Sequence, residues 1–199
     1  MEKRGQNETE LIEKENMRIV RLANQAFNTG DLSKVHEFIS PDYVNRVSQG
    51  FAEVVEGISS LPNEFRDIIK YRLSLKGPEE FMDTVKSLRN AFSDLHYTEQ
   101  EIIASRERVI TLVNVSGKHV GDFFGVPPTG RNFNYEAMHM FRILDNKIVE
   151  HRAIRDDLSF MMQLDLVRPT SQEYEHLFQA WKGYKDRQRR SRSNNFYLD

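Results

Sequence analysis

Between Tyr97 and Arg155 the chain alternates apolar and polar residues in four successive segments, residues 97–105, 108–119, 133–144 and 147–155. A two-residue period gives a strand two different faces. Four such strands in close succession call for a sheet built largely from hairpins. In residues 108–119, Val109, Thr111, Val113 and Val115 alternate with Ile110, Leu112 and Asn114. That segment is apolar on both sides at its start, as a central strand is. Asp145-Asn146 is a two-residue hairpin turn, because Asn tolerates the positive φ such turns require.

Helical patterns come first. Over residues 8–28 the residues Leu11, Ile12, Ile19, Val20, Ala23 and Phe27 fall at helical spacing, and Thr29-Gly30 ends the run. Asp31 is placed to cap a short helix carrying Leu32, Val35, Phe38 and Ile39, with Pro41 as its stop and Tyr43-Val44 as a short extended piece. Gly77-Pro78 opens a further helix with Phe81, Val85, Leu88, Ala91 and Phe92 on one face. Residues 158–166 read as a short helix capped by Asp156 or Asp157. Helices followed by a run of strands predict an α+β fold. The expected organisation is a disordered start over 1–7, one domain over 8–167 with an insertion at about 46–76 holding one or two short helices, and a C-terminal helix with a basic tail over 168–199.

Composition narrows the function classes. The 199 residues suit one domain with extensions. Charged residues make up 29% but the net charge is only −2, so the whole chain is not a polyanion binder. There is no cysteine, which removes disulfides, thiolate metal sites and Cys nucleophiles. No apolar run reaches membrane-span length and the charged N-terminus lacks a secretory pattern, so no membrane partner and a cytoplasmic location are expected. The only nucleic-acid candidate is the tail at 182–192, with six Lys/Arg and one Asp, and it reads as a solvated end.

The chemistry sits on the last two strands. Tyr135, Ala137, His139, Phe141 and Ile143 share one strand face, and His151, Ala153 and Arg155 share another. A histidine among apolar residues is a candidate acid/base, because small environmental changes move its pKa across neutrality. His119 lies near a strand end. These histidines are widely spaced with no carboxylate clearly placed beside them, so neither a metal nor a cofactor is expected. Ser and Thr nucleophiles lack a strand-elbow-helix setting.

Three segments together resemble the SnoaL-like polyketide (ester) cyclases of the nuclear transport factor two-like superfamily. AFNTGDLSKVHEFISPDYVN, from Ala26, carries the opening helix ending in Asn-x-Gly, a short helix and Pro-Asp-Tyr. GPEEFMDTVKSLRNAFSDL, from Gly77, matches the Gly-Pro-started helix. SGKHVGDFFGVPPTGRNFNYEAMHMFRILDNKIVEHRAIRDDLSFMMQL, from Ser116, carries His-x-Gly, Gly-x-Pro-Pro-Thr, a His before Arg-Ile, a hairpin, Glu-His and the closing Gln-Leu.

The resemblance implies a cone-shaped, curved mixed sheet with N-terminal helices enclosing an apolar cavity, and homodimers or higher homo-oligomers packed through the sheet. It also implies a metal-free intramolecular aldol reaction on a small apolar carbonyl compound, in which an Asp two residues after the Glu-His pair is acid and base. Here that position is Ala153. His139 matches the family's preceding histidine and is expected as acid/base or oxyanion partner, with Asp156 as a substitute base. Asn45, Tyr43, His119, Tyr135, Phe141, His151, Ala153 and Arg155 are expected to line the substrate site. The reading left open is an aldol cyclase, isomerase or hydratase. The alternative is a non-catalytic ligand-binding or interaction module on the same fold, which Ala153 favours.

Overall fold

The computed structural model describes residues 2–47 and 63–168, with Thr170, Gln172, Glu175, His176, Gln179 and Ala180. The elements in order are α1 (Glu2–Thr29), α2 (Val35–Phe38), β1 (Ile39–Asn45), α3 (Asn63–Ser74), α4 (Gly77–Ala91), β2 (Phe92–Ser105), β3 (Arg108–His119), β4 (Asn132–Leu144), β5 (Lys147–Arg155) and α5 (Asp157–Gln163). The strands form one sheet in the order β1-β5-β4-β3-β2. β2 to β5 are joined antiparallel, while β1 adds to β5 in parallel. The α+β class and mixed sheet are as expected, with β3 inside the sheet.

The turn chemistry explains the hairpins. Asp145 and Asn146 both take positive φ, 48° and 58°, as a primed two-residue turn requires. The β2–β3 turn is tied to α1: Glu13 accepts from the Arg106 N–H at 3.0 Å and Asn16 Nδ2 donates to the Arg106 carbonyl at 2.7 Å. The end of α1 is closed by Gly30 at φ 75° and by Arg89, whose guanidinium donates to the carbonyls of Phe27 and Asn28, each at 2.9 Å.

Two apolar clusters lie on the concave side. One holds Ile19, Val20, Val35, Phe38, Phe81, Val85, Val109 and Ile148, between the helices and the β1–β5 side. The other holds Phe92, Val113, Val115, Phe133, Phe160 and Leu164, against α5.

Some boundaries differ from expectation. α1 is helical from Glu2, where residues 1–7 were expected to be disordered. Its first turns are rich in Glu, Lys, Arg and Gln, which are good helix formers however polar they are. Asp31 does not cap α2; its Oδ1 accepts from Ser33 N–H at 2.9 Å, closing a turn that stands before the helix. β1 begins at Ile39 and β2 at Phe92, both earlier than expected. Irregular pairing in β1, and in β2 a positive φ at Asp94 with register shifts, blur the alternation there.

α3 lies within the expected insertion, whose residues 48–62 fall outside the described residues. The chain divides into two compact units, residues 1–165 and 166–199. In the second, the described residues from Gln172 to Ala180 are helical, and Gln179 Nε2 donates to Glu175 at 2.6 Å one turn away. The basic run at 182–192 lies outside the described residues. Among the described residues no helix is long and apolar enough to cross a membrane.

Candidate active site

The sheet register places the site residues in rows across the concave face. One row runs Asn45, His151, Phe141, Val109. The next runs Ala153, His139, Thr111, Ile102. A third contains Tyr135, Val115 and Tyr97. His139 and His151 are therefore diagonal neighbours on adjacent strands, close enough for their rings to meet.

They do meet. His139 Nδ1 lies 2.8 Å from His151 Nε2, with the rings stacked at 5.1 Å. His151 Nδ1 lies 3.2 Å from Asn45 Oδ1, and that oxygen also accepts from Val47 N–H at 3.1 Å. Phe141 stacks on His151 at 4.9 Å, and Tyr97 sets its ring edge-on to His139 at 6.1 Å. His139 is 9% exposed, and its Nε2 is buried with no hydrogen-bond partner among the described residues. An unpaired polar atom in such a place is costly unless a ligand completes it.

Burial sets the electrostatics. It pulls His139 down to about 4, with the nearby Arg155 guanidinium adding to the effect. His151 is held well below the ordinary histidine value by burial first, then by His139 and Arg155. Both rings are neutral at pH 7. Tyr43 and Tyr97 are pushed far up by burial, so both phenols stay protonated.

Glu80, in the first turn of α4, receives the Asn45 backbone N–H at 3.4 Å, and partial burial raises its carboxyl to about 7. Gly77 lets α4 approach β1: it has φ 60°, and a Cβ there would stand 2.6 Å from the Pro41 carbonyl oxygen. Asn28 fastens the backbone of Tyr97, accepting its N–H at 2.7 Å and donating to its carbonyl at 3.1 Å.

Of the expected residues, Asn45, His139, Phe141, His151 and Ala153 come together, and Tyr43 shares the Asn45 face in contact with Phe81. Tyr135 is further along β4, packed on Phe160 at 5.2 Å. Arg155 is beside the site but pairs with Asp157, Nε to Oδ1 at 3.1 Å. Asp156 is the cap of α5, its Oδ1 accepting from Ser159 N–H at 3.0 Å, which ties it to the helix end rather than to the histidines.

His119 does not join them. On β3 it is eight residues beyond Thr111, the partner of His139, which is roughly 26 Å of strand. It is buried beside Phe92 and its Nδ1 accepts from Thr129 N–H at 3.3 Å, locking the Pro-Pro-Thr-Gly turn. Among the described residues no three His, Asp or Glu side chains stand together as a metal site would need.

Tyr97 and Glu80 were not foreseen. In the sequence Tyr97 is a strand start, and nothing marks Glu80 apart from the rest of its helix. A cavity of about 410 Å³ lined by Arg46, Ile110, Met138, Met140, Arg152 and Ile154 opens on the other face of the sheet.

This fold and site can be set beside known proteins. The SnoaL-like polyketide cyclase family matches residues 69–164. Aklanonic acid methyl ester cyclase DnrD from Streptomyces peucetius is 33% identical over 153 residues, covering 76% of this chain and 92% of that protein. The chain belongs to the SnoaL-like polyketide cyclase family. Nogalonic acid methyl ester cyclase from Streptomyces nogalater is 34% identical over 140 residues, 70% of this chain and 89% of that protein. The crystal structure of IdmH from Streptomyces antibioticus, 28% identical, superposes with a TM-score of 0.55 over 75% of this chain and 98% of its own.

Proposed function

We propose that this SnoaL-like protein closes a ring in a polyketide ester by an intramolecular aldol reaction, without metal or cofactor, and that His139 is its acid and base. The observation that carries this is the buried, unpartnered Nε2 of His139. The expected family Asp position is Ala153, directly opposite His139 in the β4–β5 ladder. His139 then stands at the place left without a carboxylate. The named relatives are cyclases of aklanonic acid methyl ester and nogalonic acid methyl ester, so a polyketide acid methyl ester is the substrate reading.

A histidine with a pKa of about 4 is a weak base. It suits a C–H flanked by two carbonyls, which is far more acidic than one beside a single carbonyl. Polyketide chains supply such positions, since their carbonyls recur at alternate carbons. Neutral His139 takes that proton, the enolate attacks a second carbonyl of the same molecule, and the imidazolium returns a proton to the new alkoxide.

Aklanonic and nogalonic acid methyl esters are the first substrates to assay. Turnover is expected, with kcat reduced about 10²-fold or more in His139→Ala and the fold retained by circular dichroism. The acid limb of kcat/KM is expected near pH 4, because His139 must be neutral. Undiminished turnover in the variant would remove His139 from this role.

A second reading is a binding module, favoured by the fact that no carboxylate hydrogen-bonds His139 among the described residues. Saturable binding of the esters with no product would select it. We further infer a homodimer formed through the outer sheet face, where Ile103, Ile110, Met138 and Ile154 are exposed.

A further inference from the structure

The bonding pattern at Asn45 fixes more than the position of a ring. Val47 N–H is a donor only, so the Asn45 side-chain atom it meets at 3.1 Å is the oxygen. The same oxygen faces His151 Nδ1 at 3.2 Å, so that nitrogen carries the proton. A neutral imidazole has one N–H. His151 Nε2 is therefore an acceptor, and His139 Nδ1, 2.8 Å away, must donate to it. The remaining lone pair of the two rings is on His139 Nε2, which has no partner among the described residues.

The opposite pattern needs a charged His151. Such a cation would be buried against His139, Phe141 and Asn45 with Arg155 nearby and, among the described residues, no carboxylate bonded to it. The groups that face the pair are the Tyr97 and Phe141 rings, the Asn45 amide and the Arg155 guanidinium. Glu80 accepts the backbone N–H of Asn45 and lies near Tyr43, with no hydrogen bond to either histidine among the described residues.

We propose that Asn45 is a positioning residue that sets both imidazoles as Nδ1–H tautomers and makes the pair a closed end for protons. This rests on His139 being the acid/base. When His139 Nε2 takes a proton from carbon, the C–H electron pair becomes the enolate. The enolate carbon bonds to the carbonyl carbon, and the carbonyl π pair becomes the alkoxide lone pair. His139 can share its Nδ1 proton with His151. His151 would then have to pass its own Nδ1 proton to an amide oxygen, which does not hold one. The proton therefore returns from His139 Nε2 to the alkoxide. No proton is gained or lost overall, as an aldol cyclisation requires.

Nitrogen-15 NMR of the labelled full chain at pH 7 reads the tautomers without any substrate. Nδ1–H is expected for both His139 and His151. Asn45→Leu should leave the two rings as tautomer mixtures and lower kcat about 10- to 100-fold with KM little changed. Asn45→Asp keeps the acceptor, so it should keep both Nδ1–H tautomers and move the acid limb of kcat/KM upward, since a carboxylate favours the imidazolium.

Nε2–H on His139 in the unmutated chain would overturn the proposal, and so would unchanged tautomers in Asn45→Leu. The first of these readings comes from the unmutated chain even if Asn45→Leu does not fold, and loss of the Nδ1–H tautomers or an unmoved acid limb in Asn45→Asp would overturn the proposal as well. Correct tautomers with full turnover in His139→Ala would leave the Asn45 assignment standing and overturn both the proton-return step and the catalytic reading of His139.

Discussion

At the scale of single residues, one carboxyl is held against its usual charge state. Glu80 is drawn up to about 7 by partial burial, although the Asn45 N–H opposes the shift. The folded protein thus holds a proton more tightly than the unfolded chain does. Its stability contribution is full below the ordinary carboxylate value near 4.5 and is lost as pH rises through about 7. Glu80→Gln removes the charge and keeps an acceptor for Asn45. It should therefore be more stable than the parent at pH 8, by on the order of 1 kcal/mol after discounting for partial exposure, and indistinguishable at pH 4. Urea midpoints at the two pH values measure this, and an advantage that is larger at pH 4 would contradict it. The histidines run the other way. His139, lowered to about 4, penalises the fold as pH falls below the unfolded value of 6.5.

At the scale of elements, the site depends on how α4 is pressed onto β1. Gly77 at φ 60°, with the Pro41 carbonyl oxygen 2.6 Å from where a Cβ would be, permits that contact. Gly77→Ala should cost about 2 kcal/mol or more, from the left-handed conformation together with the clash. It should also loosen the Glu80–Asn45 contact, so ester turnover should fall by more than lost folded protein explains. Thermal melts with activity per folded molecule test this.

This scale also separates what was legible from what was not. The strands 108–119 and 147–155 were read to the residue, because their alternation is unbroken and a hairpin turn marks one end. β2 was read late because Asp94 and two register shifts interrupt the period. The meeting of His139 with His151 depends on strand register, which alternation alone does not supply. Neither Tyr97 nor Glu80 could be assigned, since each is placed by a partner far away in sequence, Asn28 and Asn45. His119 was expected to line the site because a position on a strand says nothing about distance along it.

At the scale of the whole molecule, the two faces of the sheet are differently committed. The concave face is buried under helices, while the outer face leaves Ile154 79%, Ile103 56% and Met138 49% exposed. Glu150 on this side is shared by Arg46, Arg142 and Arg152. An exposed apolar area rimmed by charge is what a dimer interface requires. For the proposed homodimer, Ile154→Arg should shift the sedimentation coefficient from dimer to monomer at micromolar concentration. A monomeric parent chain would refute the homodimer.

The parallel pairing of β1 with β5 has one further consequence, in time. Asn45 and His151 are 106 residues apart, and their contact closes one of the longest loops in the fold. Contacts of high sequence separation are slow to form. The β2–β5 hairpins can assemble while the two histidines are still free to take either tautomer. Recovery of catalytic competence after dilution from denaturant should therefore lag behind recovery of strand signal, and a nascent chain would acquire its chemistry only when its earliest strand docks against its last.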